Sequence, residues 1–281
     1  MARSWSTDSD GSAGFDVREF ARTARGSMRD DLDLASFAEA PLATDVRGAL
    51  AVLAVLEAAT MPHLRNVLVT HTHKDARVTA FLVTWAFEKY WIADALRAIV
   101  DAGTSSSGAD APSAAGPPRT AGERGPSGTA SGGRGPVRRA LAGFTQGWDV
   151  VGAHLALGLV DDLVLGAAYT RLLACSSDAA VHASIERIIA VKERHTRFFD
   201  EEVRRRLSAS GRAARLARRE LRRTTWPLGS AAITAAERAT FTQFTFGDAH
   251  GSALEDLRRD LAALPGIDVR TVAIVLRGLA G

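Results

Sequence analysis

Four charged residues stand in the apolar stripes of four helix-forming segments, one in each segment. Glu57 and Lys89 belong to the first two segments, and Asp162 and Lys192 belong to the last two. Each is surrounded by large apolar residues at the i, i+3, i+4 spacing of an amphipathic helix. The two carboxylates and two ammonium groups sum to zero charge, and a paired buried ion is tolerated where a lone one costs several kcal/mol. The pattern predicts a neutral ion network in the core.

The chemistry open to such a network depends on whether it can hold a metal ion. Helical bundles commonly bind iron or manganese through carboxylates and Glu-x-x-His pairs. None of the seven histidines has Glu or Asp three residues before it, so the sequence contains neither Glu-x-x-His nor Asp-x-x-His. A protonated lysine repels a cation, and nearby carboxylates favour that protonated form. We therefore expect a packed site without metal or other cofactor.

The elements that position these charges are predicted to be helices. The chain is rich in Ala and Leu, which are good helix formers. Apolar residues recur at helical spacing through most of its 281 residues. The predicted helices cover about 44–69, 75–103, 137–176, 178–209, 211–226, 234–248 and 251–263. The short connections predict antiparallel neighbours, and the long connection between the second and third helices predicts a crossover.

The chain is predicted to form a single domain. Residues 1–30 are polar and aperiodic and are expected to form a flexible arm. Residues 31–102 carry bundle helices one and two, and 137–209 carry helices three and four. Between them, residues 103–136 consist mainly of Gly, Ser, Ala and Pro, which predicts a disordered linker. Residues 210–281 provide a basic helix and a helical tail.

Two of these segments resemble those of a known superfamily. The stretches TWAFEKYWIADAL and RIIAVKERHTRFF are similar to the W-x-x-E-E-x-x-H and D-E-x-R-H helices of ferritin-like proteins, in the acyl-carrier-protein desaturase and rubrerythrin-like branches. The resemblance covers residues 44–100 and 145–208 and includes the helix order. It implies an all-α, ferritin-like four-helix bundle with one long crossover and additional C-terminal helices.

The resemblance also implies that the di-metal site of that superfamily is degenerate here. Glu57 takes the first-helix ligand position, and Asp162 takes the third-helix position with a shorter side chain. Lys89 and Ile92 stand where the second helix would supply Glu and His. Lys192 replaces the Glu of the fourth helix. These substitutions imply a protein without oxidase activity that serves in binding or assembly.

One alternative is an enzyme of the di-iron oxidase lineage with a remodelled site. Glu57, Asp162 and His195, the retained fourth-helix histidine, would then form a mononuclear iron or manganese site. Such an oxidoreductase would act on an acyl or small natural-product substrate. Metal analysis of the purified protein separates this hypothesis from the metal-free one.

A second alternative is a basic interaction module. The arginines between residues 211 and 224 would form a surface for an acidic partner, such as an acyl carrier protein, a phosphate group or a nucleic acid. These residues are Arg212, Arg215, Arg218, Arg219, Arg222 and Arg223. A solvated helix face is the simpler interpretation. Aromatic residues, which stack on single-stranded bases, are missing from this segment.

The residues next to the four charges are expected to play lesser roles. Glu88 and Glu193 lie about 100° around their helices from the neighbouring lysines and are predicted to face a flank or solvent. His154 is predicted to be a hydrogen-bonded core histidine. The single cysteine, Cys175, excludes an internal disulfide and is expected to be a packed, inert thiol.

Nothing in the sequence indicates a membrane span or a signal peptide. The N-terminus lacks an apolar core region. The most apolar stretch, 150–175, contains a histidine, two aspartates and an arginine, whereas a span needs about 20 nearly uncharged residues. We expect a cytoplasmic protein with a net charge of +3. Its partner is left open, and a homodimer is compatible with the sequence.

Overall fold

A computed structural model describes residues 14–40, 42–105, 147–247 and 252–280. Within these ranges every regular element is a helix, which confirms the all-α prediction. The α-helices are α1 Val17–Arg22, α2 Leu34–Glu39, α3 Thr44–Ala58, α4 Thr60–Leu68, α5 Ala76–Ser105, α6 Asp149–Cys175, α7 Ala179–Ala209, α8 Gly211–Arg223, α9 Ala235–Phe246, α10 Ser252–Ala262 and α11 Val269–Ala280. Short 3₁₀ turns lie at Arg29–Asp31, His71–Lys74 and Ser230–Ala232.

Two pairs of long helices form the centre of the molecule. α3 and α4 pack against α5, and α6 packs against α7. Because only residues 69–75 connect the first pair and 176–178 the second, the members of each pair run antiparallel. α3 also contacts α6, and α5 contacts α7, so the pairs enclose one hydrophobic core.

α6 is buried on most of its circumference, because α7 and α8 both pack against it. Among the helices of the described ranges, it alone is long and apolar enough to cross a membrane, with a mean hydropathy of 1.7 in its most apolar window. Protein buries 78% of that window. Helices that are apolar all round are found in protein cores as well as in membranes. The burial of α6 is that of a core helix.

The first long helix is broken, whereas the sequence predicts a continuous helix over 44–69. α3 ends at Ala58 and α4 begins at Thr60. Pro62 lacks an amide hydrogen, so it cannot donate the helical hydrogen bond to the carbonyl of Ala58. Gly229 packs against this break with a φ of +81°, and a Cβ atom there would collide with Ala59. The break therefore receives the loop that follows α8.

The N-terminal segment differs from the predicted flexible arm. Residues 1–13 lie outside the described ranges, but the chain packs against α5 and α7 from Phe15 onwards. Val17 and Phe20 of α1 are buried, and the ring of Phe20 stacks on Phe81 at 5.1 Å between centroids. The Phe15 amide donates to Glu201 at 2.8 Å. The contact face consists of apolar residues, Phe15, Val17 and Phe20, that are spaced along an otherwise polar segment.

The remaining helices follow the predicted order. Residues 103–105 of the predicted linker end α5, and 106–136 lie outside the described residues. The first part of the third predicted helix, 137–146, also lies outside them. α8 ends at Arg223, and the tail contains α9 and α10 near their predicted positions, followed by α11.

Candidate functional site

Five charged side chains meet where the two helix pairs face each other. Glu57 comes from α3, Lys89 from α5, Asp161 and Asp162 from α6, and Lys192 from α7. None is more than 4% exposed. We call these five residues the central cluster. The structure thus brings together the four residues of the predicted network and adds Asp161.

The two lysines join the carboxylates into one connected system. Lys89 Nζ lies 2.9 Å from Glu57 Oε2 and 3.5 Å from Asp161 Oδ2. Lys192 Nζ lies 3.3 Å from Glu57 Oε1 and 2.5 Å from Asp162 Oδ1. The Glu57 carboxylate therefore bridges the two ammonium groups, and each ammonium contacts one further carboxylate from α6. All four long helices are tied together at this point.

Neutral donors complete the surroundings of the carboxylates. The Tyr169 hydroxyl donates a hydrogen bond of 2.9 Å to Glu57 Oε1. The Thr196 hydroxyl donates to Asp162 Oδ2. Buried ions are costly unless such partners satisfy their lone pairs. The hydroxyl groups thus satisfy further lone pairs of Glu57 and Asp162.

Asp161 is the member that the sequence interpretation missed. Asp161 and Asp162 are consecutive and point in directions about 100° apart, so only one could lie at the centre of a single stripe. The loop after α8 covers the second direction, and the Leu228 amide donates to Asp161 Oδ1 at 2.9 Å. The composition of α6 offered a partial signal, because a helix that is apolar all round has no polar face on which Asp161 could lie.

The electrostatics keep Glu57 and Lys192 ionised. Burial opposes ionisation of Glu57, but the ammonium groups of Lys192 and Lys89 outweigh it and lower its pKa to about 2. Burial likewise opposes the charge of Lys192, but Asp162 and Glu57 raise its pKa overall. Burial and the negative Glu57 raise the pKa of Tyr169, so its hydroxyl stays protonated and donates.

Asp161 behaves differently from Glu57. Burial raises its pKa from 3.8 to about 6, although Lys89 and Lys192 act in the opposite direction. With Asp161 ionised, the cluster holds three carboxylates and two ammonium groups, a net charge of −1. With Asp161 protonated, the net charge is zero. The neutrality predicted for four residues is therefore reached in the five-residue cluster when Asp161 carries a proton.

A cavity of about 10 Å³ adjoins Asp161, a volume that suits one water molecule. Its lining consists of Leu56, Ala59, Thr60, His63, Trp85, Asp161 and Leu228. Trp85 Nε1 is buried without a hydrogen-bond partner in the protein. Burial, and then the charge of Lys89, lower the pKa of His63 to about 4, which keeps this imidazole neutral. The cavity is polar but far too small for an organic substrate.

A second cluster lies on a neighbouring face of α5, and it corrects the prediction for Glu88. Glu88 is completely buried, whereas Glu193 is exposed as expected. Glu88 Oε2 lies 2.7 Å from His195 Nε2, and Glu88 Oε1 accepts a hydrogen bond from Arg194 at 2.5 Å. The backbone amide of Arg25 also donates to Oε1, at 2.7 Å. The N-terminal segment thus buries a face of α5 that was expected to be a flank or to meet solvent.

We call Glu88, Arg194 and His195 the lateral cluster, and its geometry bears on the mononuclear metal alternative. That alternative requires Glu57, Asp162 and His195 around one ion. His195 Nε2 instead contacts Glu88, and Lys192 Nζ contacts both of the required carboxylates. Over the described ranges, no group of three or more His, Cys, Asp or Glu residues could hold a metal ion. The residues present do not fit this metal site.

Two smaller predictions have different outcomes. His154 is a hydrogen-bonded core histidine as expected, with Nδ1 at 3.0 Å from Thr72 Oγ1. Burial lowers its pKa to about 4, followed in size by the effect of His63. Cys175, in contrast, is exposed and not packed. It is the last residue of α6, and the chain turns away at this point.

The six predicted surface arginines lie on α8, and none of them is fully buried. Four of them contact carboxylates, which reduces the positive charge of this surface without removing it. The pairs are Arg212 with Asp149, Arg218 and Arg222 with Asp268, and Arg219 with Glu220, at distances between 2.8 and 3.5 Å. Arg215 and Arg223 are exposed.

Comparison of this chain with known protein families, with curated proteins and with solved structures finds no match. Its function must therefore be inferred from its own residues and geometry. The central cluster can hold compensating charges and exchange one proton at Asp161. Protein groups contact each of its charges.

Proposed function

We propose that this chain is a ferritin-like four-helix bundle in which a lysine–carboxylate cluster replaces the di-metal centre. In this proposal the protein has no oxidase activity and serves as a binding or assembly component. The main support is the arrangement of the two ammonium groups. Glu57 bridges them, and a carboxylate of α6 contacts each one from the other side.

In this arrangement, ammonium groups take the place of metal cations. A carboxylate-rich core needs positive charge, because isolated buried carboxylates are strongly disfavoured. Metal ions supply that charge in di-iron bundles. Lys89 and Lys192 supply it here through their own side chains. Unlike a metal ion, an ammonium group has no coordination position at which oxygen or substrate could bind.

The scarcity of lysine supports a specific role for these two residues. Lysine and arginine together number 35, but only Lys74, Lys89 and Lys192 are lysines. Two of the three lie in the central cluster. Lysine carries a compact charge on a flexible stem, whereas arginine carries a broad planar fork. An ammonium group concentrates its charge in a smaller volume than a guanidinium, which suits a position between two carboxylates.

Metal analysis tests the proposal directly. Wild-type protein, produced in medium supplemented with iron and manganese, should purify with substoichiometric amounts of both metals. The triple variant K89E/I92H/K192E restores two carboxylates and an imidazole, and it should gain metal. Lys74→Glu is the control, because it adds an acid at an exposed position. Stoichiometric iron in the wild type would overturn the proposal, whether or not the triple variant folds.

A further inference from the structure

Arginine predominates on the outward face of α8. The helix buries Ala213, Ala214, Ala217 and Leu221. On its other side, five arginines line an open groove of about 370 Å³, which we call the arginine groove. They are Arg215, Arg218, Arg219, Arg222 and Arg223. Packing of α8 against α6 requires only that this side be polar, so packing does not explain five positive charges.

The groove keeps a positive charge after its internal pairs are counted. Asp268 lies 3.3 Å from Arg218 and 3.4 Å from Arg222, and Glu220 lies 2.8 Å from Arg219. In the described part of the chain, neither Arg215 nor Arg223 has an acidic partner. Five guanidinium groups and two carboxylates leave three net positive charges in a small volume.

Holding these charges together opposes the stability of α8. Arg215, Arg219 and Arg223 follow one another at i, i+4, and like charges at that spacing destabilise a helix. α7 shows that the chain can avoid this repulsion. Its three consecutive arginines are all paired, Arg204 with Asp200, Arg205 with Glu202, and Arg206 with Glu202 and Asp75. An abundance of arginine in the chain as a whole therefore does not explain why Arg215 and Arg223 have no acidic partner among the described residues.

The chemistry of the groove favours one class of ligand, a molecule with linked phosphate groups. Guanidinium forks match phosphate oxygens in two-pronged hydrogen bonds. Arg215, Arg219 and Arg223 rise in steps of about 6 Å along one line, which suits successive anionic groups. The lining offers no aromatic ring on which a base could stack. Its volume is that of a small-molecule site.

We propose that the arginine groove binds an oligophosphate, meaning a small ligand with two or more linked phosphate groups. The ligand is recognised through its phosphates alone. This inference goes beyond the proposed function, because it concerns a surface that the central cluster does not touch. A protein with a metal in its core could still have this site, so the two proposals can fail separately.

Titration calorimetry of the full chain with inorganic tripolyphosphate tests the proposal. R215A/R219A/R223A should weaken binding by about tenfold or more, because each removed fork contacts phosphate directly. The matched control is R258A/R259A/R277A, which also removes three positive charges from exposed helical positions. It should keep its affinity within about twofold, since its arginines lie outside the groove. Circular dichroism verifies that both variants are folded.

Three outcomes would overturn the assignment. Equal weakening in both variants would mean that only net charge matters. Orthophosphate binding as tightly as tripolyphosphate would mean that linked phosphates are not recognised. Tighter binding of a short DNA duplex or an acidic peptide, lost in R215A/R219A/R223A alone, would make the partner a macromolecule. Loss of tripolyphosphate binding in R215A/R219A/R223A alone, with weak binding of the other probes, would support the proposal.

Discussion

The central and lateral clusters begin from adjacent residues and reach different environments. Glu88 and Lys89 are neighbours on α5, and Lys192 lies three residues before His195 on α7. Lys89 and Lys192 point between the helix pairs, whereas Glu88 and His195 face the N-terminal segment. The central cations have side chains at most 5% exposed, but Arg194 of the lateral cluster keeps 34% of its side chain exposed.

This difference in exposure determines how much stability the protein loses when a charge of each cluster is removed. A charge that loses its partner deep in the core stays buried and uncompensated. A charge at the rim can recover hydration by a small movement, so its loss is partly offset. The central cluster should therefore govern global stability, and the lateral cluster should govern the attachment of the N-terminal segment. The following substitutions test that division in order of expected effect.

Lys192→Met should have the largest effect. It leaves Glu57 and Asp162 without the ammonium that lies 3.3 and 2.5 Å from them. Removal of one partner from a buried ion pair costs about 3–5 kcal/mol in free energy of unfolding. Urea denaturation measures this loss. Lys74→Met is the control, since Lys74 is exposed, and should change stability by no more than about 0.5 kcal/mol. A loss below about 1 kcal/mol for Lys192→Met contradicts a tightly coupled cluster.

Asp161→Asn should have a smaller effect that depends on pH. Because the pKa of Asp161 rises from 3.8 to about 6 on folding, the folded protein binds a proton that the unfolded chain lacks between these values. Stability from this group is complete below about pH 4 and declines by up to about 3 kcal/mol as pH rises through 6. Asparagine cannot ionise, so the variant should gain stability relative to wild type between pH 5 and pH 8.

The neighbouring acid provides the control for that experiment. Asp162→Asn removes the closest carboxylate partner of Lys192 and should destabilise the protein at both pH 5 and pH 8. Urea denaturation at the two pH values compares the variants. If Asp161→Asn is as destabilising at pH 8 as Asp162→Asn, then ionised Asp161 is a required ion-pair partner and the protonated form is not preferred.

Glu88→Gln should have the smallest global effect, with a local signature. The variant keeps the shape of the side chain but weakens its contacts with Arg194, His195 and the Arg25 amide. Charged hydrogen bonds of this kind contribute about 1.5–3 kcal/mol. Hydrogen exchange should accelerate across residues 17–28 more than in the long helices. Glu19→Gln serves as the control, because among the described residues the Glu19 side chain pairs with Arg22 alone, at an exposed position. Uniform acceleration throughout the protein would mean that Glu88 stabilises the core and not the attachment.

The sequence predicts the helices and four charges of the centre for one physical reason. Apolar periodicity identifies the buried face of a helix, and a charge within that face must find a partner there. Glu57, Lys89, Asp162 and Lys192 all satisfy this rule. Pro62 also carries a local signal, since a proline inside a helical pattern marks a break. The break at Ala59 could therefore have been predicted from the sequence.

Only the tertiary structure decides the burial of Glu88 and Asp161. Each lies about 100° from its helix stripe, and periodicity assigns such positions to solvent unless another segment covers them. The N-terminal segment covers Glu88, and the loop after α8 covers Asp161. Both coverings are distant in sequence, as shown by the amide of Arg25 on Glu88 and the amide of Leu228 on Asp161. The sequence by itself determines the helices and their inward charges, because these follow from the periodicity of neighbouring residues. Contacts between segments that are distant in sequence determine which further charged side chains are buried away from solvent.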